Sequence, residues 1–338
     1  MQILEFSTCK STLFPHTTSN YQLLTSNYKN TIFAAQNNKE MMLFYLGNWY
    51  FQTKFLKRRK PLQTVLFITN QCNLSCSHCS VYDHVHPTVK SYEQIKEELL
   101  YSYQLGSRFV DFEGGEPTLW RDGDRRLNDL IDLAHEIGFF TTTVTTNAQQ
   151  PFAGLKANSI WVSMDGIHEY HDAVRGQGTF DKLVKNVDSC GHKALSANMV
   201  IDSNNYVNAM ETLQFVKEHP TFKSIAFNFY TPAFFKDEDP LILDWDRRIE
   251  LIDKLIEQKK KRMPIMNSVS GLKRMKDLSF EKACWMCNYI LPDGTRLPEC
   301  VGKSAGVCNQ CGFCMAGEMR SVMDFRPDTL LAGLSLRG

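Results

Sequence analysis

Between residues 63 and 261, short β-rich segments alternate with helical or looping segments. The predicted strands are rich in β-branched and aromatic residues, and they cover 64–69, 108–113, 140–146, 159–164, 194–201 and 223–230. The predicted helices carry apolar residues at helical spacing, and they cover 91–106, 124–138, 179–190, 206–219 and 244–261. Such alternation indicates parallel strands joined by right-handed crossovers. Six strand units are too few for a closed eight-stranded barrel, so the sequence predicts an α/β fold with a partial (β/α)6 barrel.

The chain on either side of this alternation differs from it in composition. Residues 1–62 predict an N-terminal extension with an amphipathic, basic segment, 63–261 the barrel, and 262–338 a small Cys-rich C-terminal module. Within the extension, residues 41–60 are apolar and aromatic and end in the basic run KRRK. Such a segment can lie on an anionic membrane surface, or it can pack against the barrel with its basic end in water.

Composition and charge exclude several classes of protein. Of 338 residues, 43% are hydrophobic and 22% are charged, which argues against a largely disordered chain. The net charge of +1 argues against a globally basic nucleic-acid binder, so no nucleic-acid partner is expected. Because no apolar run of membrane-spanning length and no signal peptide is present, we expect a cytoplasmic protein, with peripheral membrane association as the alternative. Eleven cysteines in a reducing compartment indicate metal binding or catalysis rather than disulfides.

Three cysteines follow the first predicted strand in the segment TNQCNLSCSHCSVYD. Their spacing is Cys72-x3-Cys76-x2-Cys79, and iron–sulfur clusters are held by Cys thiolates. No fourth cysteine is nearby, so one iron of a cubane held here would stay open to a non-protein ligand. The alternative is a zinc site completed by one of the histidines in the same segment, namely His78, His84 or His86.

A second motif, FEGGEP, follows the second predicted strand and contains Gly114, Gly115, Glu116 and Pro117. Glycines let a backbone approach a ligand closely. By itself the motif could be only a turn. Its position after the second strand, one strand along from the cysteines, favours a ligand-binding loop.

These two motifs, in this order and position, closely resemble the radical S-adenosylmethionine (radical SAM) superfamily, over about residues 64–230. The resemblance implies a partial barrel of radical SAM type with a [4Fe-4S] cluster on Cys72, Cys76 and Cys79. It also implies S-adenosyl-L-methionine (SAM) bound through its amino and carboxylate groups at the open iron. The implied reaction cleaves SAM to methionine and a 5′-deoxyadenosyl radical that abstracts hydrogen from a substrate carbon. A one-electron donor such as flavodoxin or ferredoxin would then be a partner.

The resemblance also implies roles for further residues of the SAM site. The segment Gly114–Pro117 would contact the SAM amino group, and Asn147 lies in VTTNAQ, where relatives carry a Thr-Asn-Gly turn. Ser163 would approach the ribose with Asp165 nearby, Arg175 would pair with the SAM carboxylate, and His78 would help to position adenine. The alternatives are that Arg175 is a surface residue in a turn and that His78 is a solvated loop residue.

Six further cysteines lie close together near the C-terminus: Cys284, Cys287, Cys300, Cys308, Cys311 and Cys314. Four of them could bind a [4Fe-4S] cluster or a zinc ion, and the spacing decides neither the metal nor the four ligands. The resemblance favours an auxiliary [4Fe-4S] cluster in a module of SPASM or twitch type, since Asp293-Gly294 predicts a hairpin between the second and third cysteines. Full ligation by four cysteines would favour electron transfer.

The sequence leaves the substrate open. We expect modification of a peptide or protein, with a lipid or small molecule at the membrane surface as the alternative. A non-enzymatic iron–sulfur electron carrier is the competing class, although a carrier needs no SAM pocket. Cys190 and Tyr230 are candidate hydrogen donors to a product radical by chemistry alone, and both could equally be packing residues.

Overall fold

The computed structural model describes residues 38–233 and 238–337, and a single eight-stranded sheet organises this part of the chain. The strands are β1 (Gln63–Thr69), β2 (Phe109–Gly114), β3 (Thr141–Thr146), β4 (Ser159–Ser163), β5 (Leu195–Ile201), β6 (Phe222–Phe229), β7 (Cys287–Ile290) and β8 (Arg296–Leu297). Their order is β6-β5-β4-β3-β2-β1-β7-β8. Every neighbouring pair is parallel except β7 and β8, which form an antiparallel hairpin. The predicted α/β fold with a partial barrel is confirmed.

Helices connect the strands and flank the sheet. They are α1 (Asn38–Lys54), α2 (Tyr92–Leu105), α3 (Leu127–Ile137), α4 (Glu169–Arg175), α5 (Thr179–Ser189), α6 (Ala209–Glu218), α7 (Trp245–Lys260), α8 (Val269–Arg274), α9 (Val301–Ser304), α10 (Met315–Met323) and α11 (Pro327–Arg337). Local sequence signals set several of their ends. Helix α2, for example, begins at a capping box made by Ser91 and Gln94, and it ends at Gly106, whose φ of 118° few other residues adopt. Among the described residues, no helix has both the length and the apolar character to cross a bilayer.

The two faces of the sheet differ in burial and in polarity. Alternate strand residues such as Leu66, Phe112 and Ile160 are fully buried against the helices and belong to the main hydrophobic core. Successive side chains of a strand point to opposite faces, so the residues between them face the inside of the barrel. These inward positions are more accessible than the helix-facing ones in β1, β3 and β4. Barrel interiors are usually filled by bulky apolar side chains. This interior is instead an accessible lumen.

Hydrogen-bonded polar pairs cross the strands inside this lumen. The pairs are Gln63 with Asp111, Thr143 with Ser159, Thr145 with Glu113, and Ser196 with Ser224. Each pair joins side chains of adjacent strands on the inward face, which satisfies polar groups that would otherwise be buried at a cost. The lumen is therefore polar along much of its height.

The Cys-rich region does not fold apart from the barrel sheet. Strand β7 pairs with β1 in parallel, with Val65 opposite Tyr289, and thereby extends the barrel past its first strand. The hairpin predicted around Asp293-Gly294 is confirmed, since Tyr289 pairs with Leu297 across it. The division of the chain at 62 and 261 remains a prediction.

The N-terminal helix α1 packs at the amino ends of the strands. Tyr45 donates a hydrogen bond to the carbonyl of Gly106, just before β2, and the Trp49 indole donates to the carbonyl of Lys60, just before β1. Trp49 also lies in a smaller core cluster with Met286 and Cys287. The hypothesis that this segment packs against the barrel is confirmed for one of its faces.

Candidate active site

The loop that follows β1 gathers three cysteines at the carboxyl end of the barrel. Cys76 is buried, whereas Cys72 and Cys79 are half-buried. The amide of Cys79 donates to the carbonyl of Cys76 over 3.1 Å, and that of Ser77 donates to Val174 of α4 over 3.0 Å, so the loop is held by its own turn and by a neighbouring helix. Burial raises the pKa of the Cys76 thiol to about 11, although Arg175 opposes this. Burial also raises the pKa of Cys72. A metal group bound here would displace the thiol protons.

The GGEP loop lies with its backbone directly against the start of the cysteine loop. The amide of Gly115 donates to the carbonyl of Thr69 and that of Glu116 donates to the carbonyl of Gln71, each over 2.8 Å. A Cβ on Gly115 would lie 2.3 Å from the Gln71 oxygen, and one on Gly114 would lie 2.6 Å from the Thr69 oxygen. Both glycines are therefore required by contact between two protein loops. This contact fixes the cysteine loop relative to β2.

The Glu116 carboxylate is fully engaged within the protein. It is 1% exposed and accepts hydrogen bonds from the amide and hydroxyl of Thr118, from the hydroxyl of Thr146 and from the amide of Asn147, over 2.6–3.1 Å. Pro117, also buried, begins the short 3-10 turn that these bonds stabilise. Glu116 thus joins the loop after β2 to the loop after β3. Glu116 is therefore a positioning residue that holds these two loops together.

Asn147 extends this connection to the cysteine loop. Its amide nitrogen Nδ2 donates to Oδ1 of Asn73 over 2.8 Å and lies 3.8 Å from Sγ of Cys72. Asn147 is 5% exposed. The three loops after β1, β2 and β3 therefore meet at Asn147.

A buried charged group lies on the other side of the cysteines. Nε of Arg175 donates to Oδ2 of Asp165 over 2.7 Å, and its Nη1 lies 3.8 Å from Sγ of Cys76. Nε2 of His78 lies 3.6 Å from the same Asp165 oxygen. Burial opposes ionisation of Asp165, but Arg175 and His78 outweigh it and lower the pKa of the carboxyl. The side chains of Arg175 and His78 are only 9% and 11% exposed, so the alternatives that made them surface residues are wrong.

Ser163 and His78 complete the set of residues predicted for SAM. Ser163 ends β4 and is half-buried opposite Asn198 of β5. Nδ1 of His78 is buried without a hydrogen-bond partner among the described residues. An orphaned buried nitrogen beside a cysteine loop fits a site that a bound group completes. His84, by contrast, is exposed, bonds Ser75 and stacks on Tyr82.

Four of the six C-terminal cysteines line one cavity. The cavity has a volume of about 220 Å³, and its thiols belong to Cys284, Cys300, Cys308 and Cys311. Burial raises the pKa of Cys284 to about 12, with Cys300, Cys311 and Cys308 adding to the effect. The remaining two cysteines are not among the lining residues. Cys287 is 1% exposed in the smaller core cluster, and Cys314 is 1% exposed in the main one.

This cavity lies between the end of β6 and the start of β7. Thr231, just after β6, lines it, and Cys284 precedes β7 by a short turn. The segment Cys311–Cys314 is docked on β6 by the Gly312 carbonyl, which accepts from the amide of Phe229 over 2.8 Å. A Cβ at Gly312 would lie 1.9 Å from the Phe229 oxygen, so only glycine allows this approach. Within the described chain, no group of three or more His, Cys, Asp or Glu residues is arranged to hold a single metal ion.

The sequence analysis missed two residues that face the lumen between these sites. Glu113 precedes Gly114 and accepts a hydrogen bond from Thr145 over 2.8 Å. Tyr289 of β7 has its pKa raised by burial, and the charges that add to this belong to the C-terminal cysteines and to Glu113. The alternation of β2, in which Phe112 is buried against the helices, is the sequence signal that could have indicated an inward Glu113. Of the candidate hydrogen donors, Cys190 is 5% exposed in the core, and Tyr230 donates to Asp239 over 3.2 Å.

An open parallel barrel that presents three cysteines after its first strand, beside a double-glycine loop after its second, defines a class of iron–sulfur proteins that bind a cofactor at the strand ends. Residues 66–216 match the family model of the Radical SAM superfamily. The cofactors of the family are a [4Fe-4S] cluster and SAM.

Curated relatives resemble this chain over its barrel. The chain is 31% identical over 156 residues to the mycofactocin maturase MftC of Mycolicibacterium smegmatis, covering 43% of this chain and 39% of that protein. It is 30% identical over 155 residues to the Fe-coproporphyrin III synthase of Methanosarcina barkeri, covering 43% of this chain and 38% of that protein. The chain thus spans about two fifths of the length of these relatives.

Solved structures share the fold over a larger part of the chain. Streptococcus suis SuiB bound to its precursor peptide SuiA aligns with a TM-score of 0.57 at 17% identity, covering 80% of this chain and 66% of that one. The protein anSMEcpe, with bound AdoMet and a Cp18Cys peptide, aligns with a TM-score of 0.56 at 17% identity, covering 71% of this chain and 74% of that one. At 17% identity, the similarity to these two structures shows a shared fold.

The lumen carboxyl of Glu113 provides a prediction about pH. Burial raises its pKa from 4.5 to about 7, so the folded chain keeps a proton that the unfolded chain releases between these values. Its contribution to stability therefore falls as the pH rises through this window. Glu113→Gln keeps an acceptor for Thr145 and removes the titration. Relative to wild type, the variant should gain stability between about pH 5 and about pH 8 in urea unfolding.

A matched change of an exposed carboxyl provides the control for this experiment. Glu97 is exposed on α2, and Glu97→Gln removes one carboxyl group from the surface for comparison. If Glu113→Gln shifts stability equally at both pH values, the lumen carboxyl does not hold its proton in the folded state.

Proposed function

We propose that this protein is a radical SAM enzyme that modifies a carbon centre of a peptide or protein substrate. The observation that carries the proposal is the contact of the cysteine loop with the GGEP loop. It holds the loop of Cys72, Cys76 and Cys79 directly against Gly114 and Gly115 at the carboxyl ends of β1 and β2. The precursor peptide bound to SuiB and the maturase name of MftC support the substrate class.

The residues around this loop fit the cofactors of the family. Cys72, Cys76 and Cys79 would hold the [4Fe-4S] cluster, and no fourth cysteine of the described chain belongs to the loop. When bound, the reduced cluster and SAM supply a 5′-deoxyadenosyl radical that abstracts hydrogen from a substrate carbon. The protein would need a one-electron donor such as flavodoxin or ferredoxin.

Two sets of residues would position SAM. The backbone of Gly114 and Gly115 would meet the amino group, while Glu116 and Asn147 fix the loops that present it. Arg175 can offer its remaining N–H groups to the SAM carboxylate because Asp165 already orients its guanidinium. The orphaned Nδ1 of His78 and the hydroxyl of Ser163 are the polar groups proposed for the adenosine part.

The lumen is the proposed place of the substrate. It is accessible and polar, and Tyr289 of β7 and the residues of β2 that lead into the GGEP loop lie on either side of β1. Helices and the sheet enclose it, which suits a reaction that must exclude competing partners of a radical. Glu113 lies on the inward face next to Gly114, where Thr145 holds its carboxyl group, and is proposed to orient the substrate.

We also propose an auxiliary [4Fe-4S] cluster held by Cys284, Cys300, Cys308 and Cys311. These four thiols line one cavity, whereas Cys287 and Cys314 do not line it. Ligation by four cysteines leaves no iron open for substrate, which favours a role in electron transfer. Zinc in the same cavity is the alternative, since zinc also accepts four cysteines.

A lipid substrate at a membrane surface is the second candidate, raised by the apolar residues exposed on α1. Helix α1, however, packs at the amino ends of the strands, whereas the cysteine loop and the GGEP loop lie at their carboxyl ends. A surface placed there does not by itself deliver a lipid to the reacting centre. This placement favours the peptide or protein substrate.

The proposed function is tested by a Cys72→Ala/Cys76→Ala/Cys79→Ala variant after anaerobic reconstitution. Wild type should hold about eight irons per chain and form 5′-deoxyadenosine from SAM with a strong reductant. The triple variant should hold about four irons and form none, because only the first cluster reduces SAM. Iron content that does not change in the triple variant would contradict the proposal.

The auxiliary ligand set is tested in that triple-variant background with two matched pairs of substitutions. Cys284→Ala/Cys300→Ala should remove the remaining iron, because both thiols line the cavity. Cys287→Ala/Cys314→Ala should retain it, because both thiols lie outside. Iron and sulfide are measured with zinc, and circular dichroism confirms that each variant folds. Loss of iron from a folded second pair would contradict the assignment, and zinc in place of iron would select the alternative metal.

A further inference from the structure

Helix α1 is apolar on two opposite faces. Met42, Trp49 and Thr53 are 4–6% exposed and face the protein. Phe44, Phe51 and Phe55 have the same spacing, shifted by two residues. Two residues turn a helix by about 200°, so these phenylalanines lie on the opposite face. They are 78%, 53% and 66% exposed.

The three phenylalanines lie along one side of the helix, with the exposed Gly47 and Asn48 between Phe44 and Phe51. The amide of Phe55 donates to the carbonyl of Phe51 over 3.0 Å, so the helical path continues to Phe55, and the rings of these two residues lie 5.4 Å apart. Met41, 38% exposed, lies one turn before Phe44 on the same side. A helix that is apolar all round is normally buried on every side. An exposed stripe of this kind marks an interaction surface.

A basic segment adjoins the stripe directly. Lys54 and the run Lys57–Lys60 are all exposed, although the whole chain carries a net charge of only +1. Among the described residues, the acidic group facing this segment is Glu281, whose Oε1 lies 3.9 Å from Nη2 of Arg59 and which also pairs with Arg320. Nζ of Lys54 donates to the carbonyl of Met323. Most of this positive charge is therefore available to an anionic partner.

We propose that the Phe44–Phe51–Phe55 stripe and the Lys57–Lys60 run form a docking surface for an anionic lipid bilayer. Phenylalanines on one helix face enter the boundary between headgroups and acyl chains, and adjacent lysines and arginines meet anionic headgroups. The aromatic stripe and the basic run complement the two layers of a membrane surface. The docking surface lies at the amino ends of the strands, so the cysteine loop and the GGEP loop at their carboxyl ends stay accessible. The proposal concerns attachment and is independent of the proposed reaction.

Co-sedimentation of the full chain with lipid vesicles tests this docking surface. Wild type should bind vesicles of phosphatidylcholine with phosphatidylglycerol at least tenfold more tightly than vesicles of phosphatidylcholine alone, and salt should weaken binding. Phe44→Ser/Phe51→Ser/Phe55→Ser should lose at least tenfold in partitioning. Replacing all four residues of Lys57–Lys60 by Gln should also reduce partitioning at least tenfold, since each basic residue near an anionic surface adds to binding.

Two control variants make similar changes elsewhere on the surface, one at two exposed valines and one at four exposed lysines. Val85→Ser/Val207→Ser removes exposed apolar side chains elsewhere, at 76% and 53% exposure, and should leave binding unchanged. The charge control replaces four exposed lysines of other elements, Lys182, Lys185, Lys193 and Lys217, by Gln, and binding should again remain.

Several outcomes would overturn the proposal. The first is a wild-type chain that fails to bind anionic vesicles, and the second is equal loss in test and control variants. A dimer that the phenylalanine substitutions dissociate, seen by light scattering without vesicle binding, would assign the stripe to a second copy. Vesicle binding that appears only after residues 1–37 are deleted would show that this segment, and not a membrane, occupies the stripe in the full chain.

Discussion

The hydrogen bonding of β1 on both of its edges is the constraint on which the rest of the structure depends. On one edge β1 pairs with β2, which leads into the GGEP loop, and on the other it pairs with β7 of the Cys-rich region. The cysteine loop continues from β1 itself. The positions of both groups of cysteines therefore follow from the register of a single strand. The lumen between them is bounded by residues of the same three strands.

Close backbone contact fixes this arrangement at two glycine positions. At Gly115 the loop after β2 meets the cysteine loop, and at Gly312 the Cys-rich region meets the end of β6. In both places an added Cβ would overlap a carbonyl oxygen, so side-chain volume is excluded by neighbouring protein. Buried polar groups such as Glu116 then lock the loops. The rigidity of these contacts suits a site that must present a cofactor in one orientation.

The barrel could be predicted from the sequence because its signals are local. All six predicted barrel strands agree with the structure within one residue, since β-branched runs and turn residues mark them directly. The pairing of β7 with β1 could not be predicted, because a contact between residues 65 and 289 leaves no periodicity in either segment. The choice of the four cysteines that share a cavity could not be predicted from the sequence either. Their spacing fits several sets of ligands, and only the folded structure shows that Cys287 and Cys314 do not line the cavity.

For the residues predicted to bind SAM, too, the sequence supplied one part of the picture and the fold the other. The type of each residue indicated a ligand site, whereas its partners depended on the fold. Glu116 has the residue type of a cofactor ligand, yet the fold surrounds its carboxylate with donors from Thr118, Thr146 and Asn147. Glu113, which was not singled out within the motif, faces the lumen as Asp111 does, and it accepts a hydrogen bond from Thr145.

Electron paramagnetic resonance of the reduced first cluster, with and without SAM, tests the central claim most directly. The measurement uses the Cys284→Ala/Cys300→Ala variant, so that the signal comes from the cluster on Cys72, Cys76 and Cys79 alone. If one iron of that cluster is open to SAM, adding SAM should change the g-values of the signal. A spectrum that stays the same at saturating SAM, in a sample with about four irons per chain, would contradict the account.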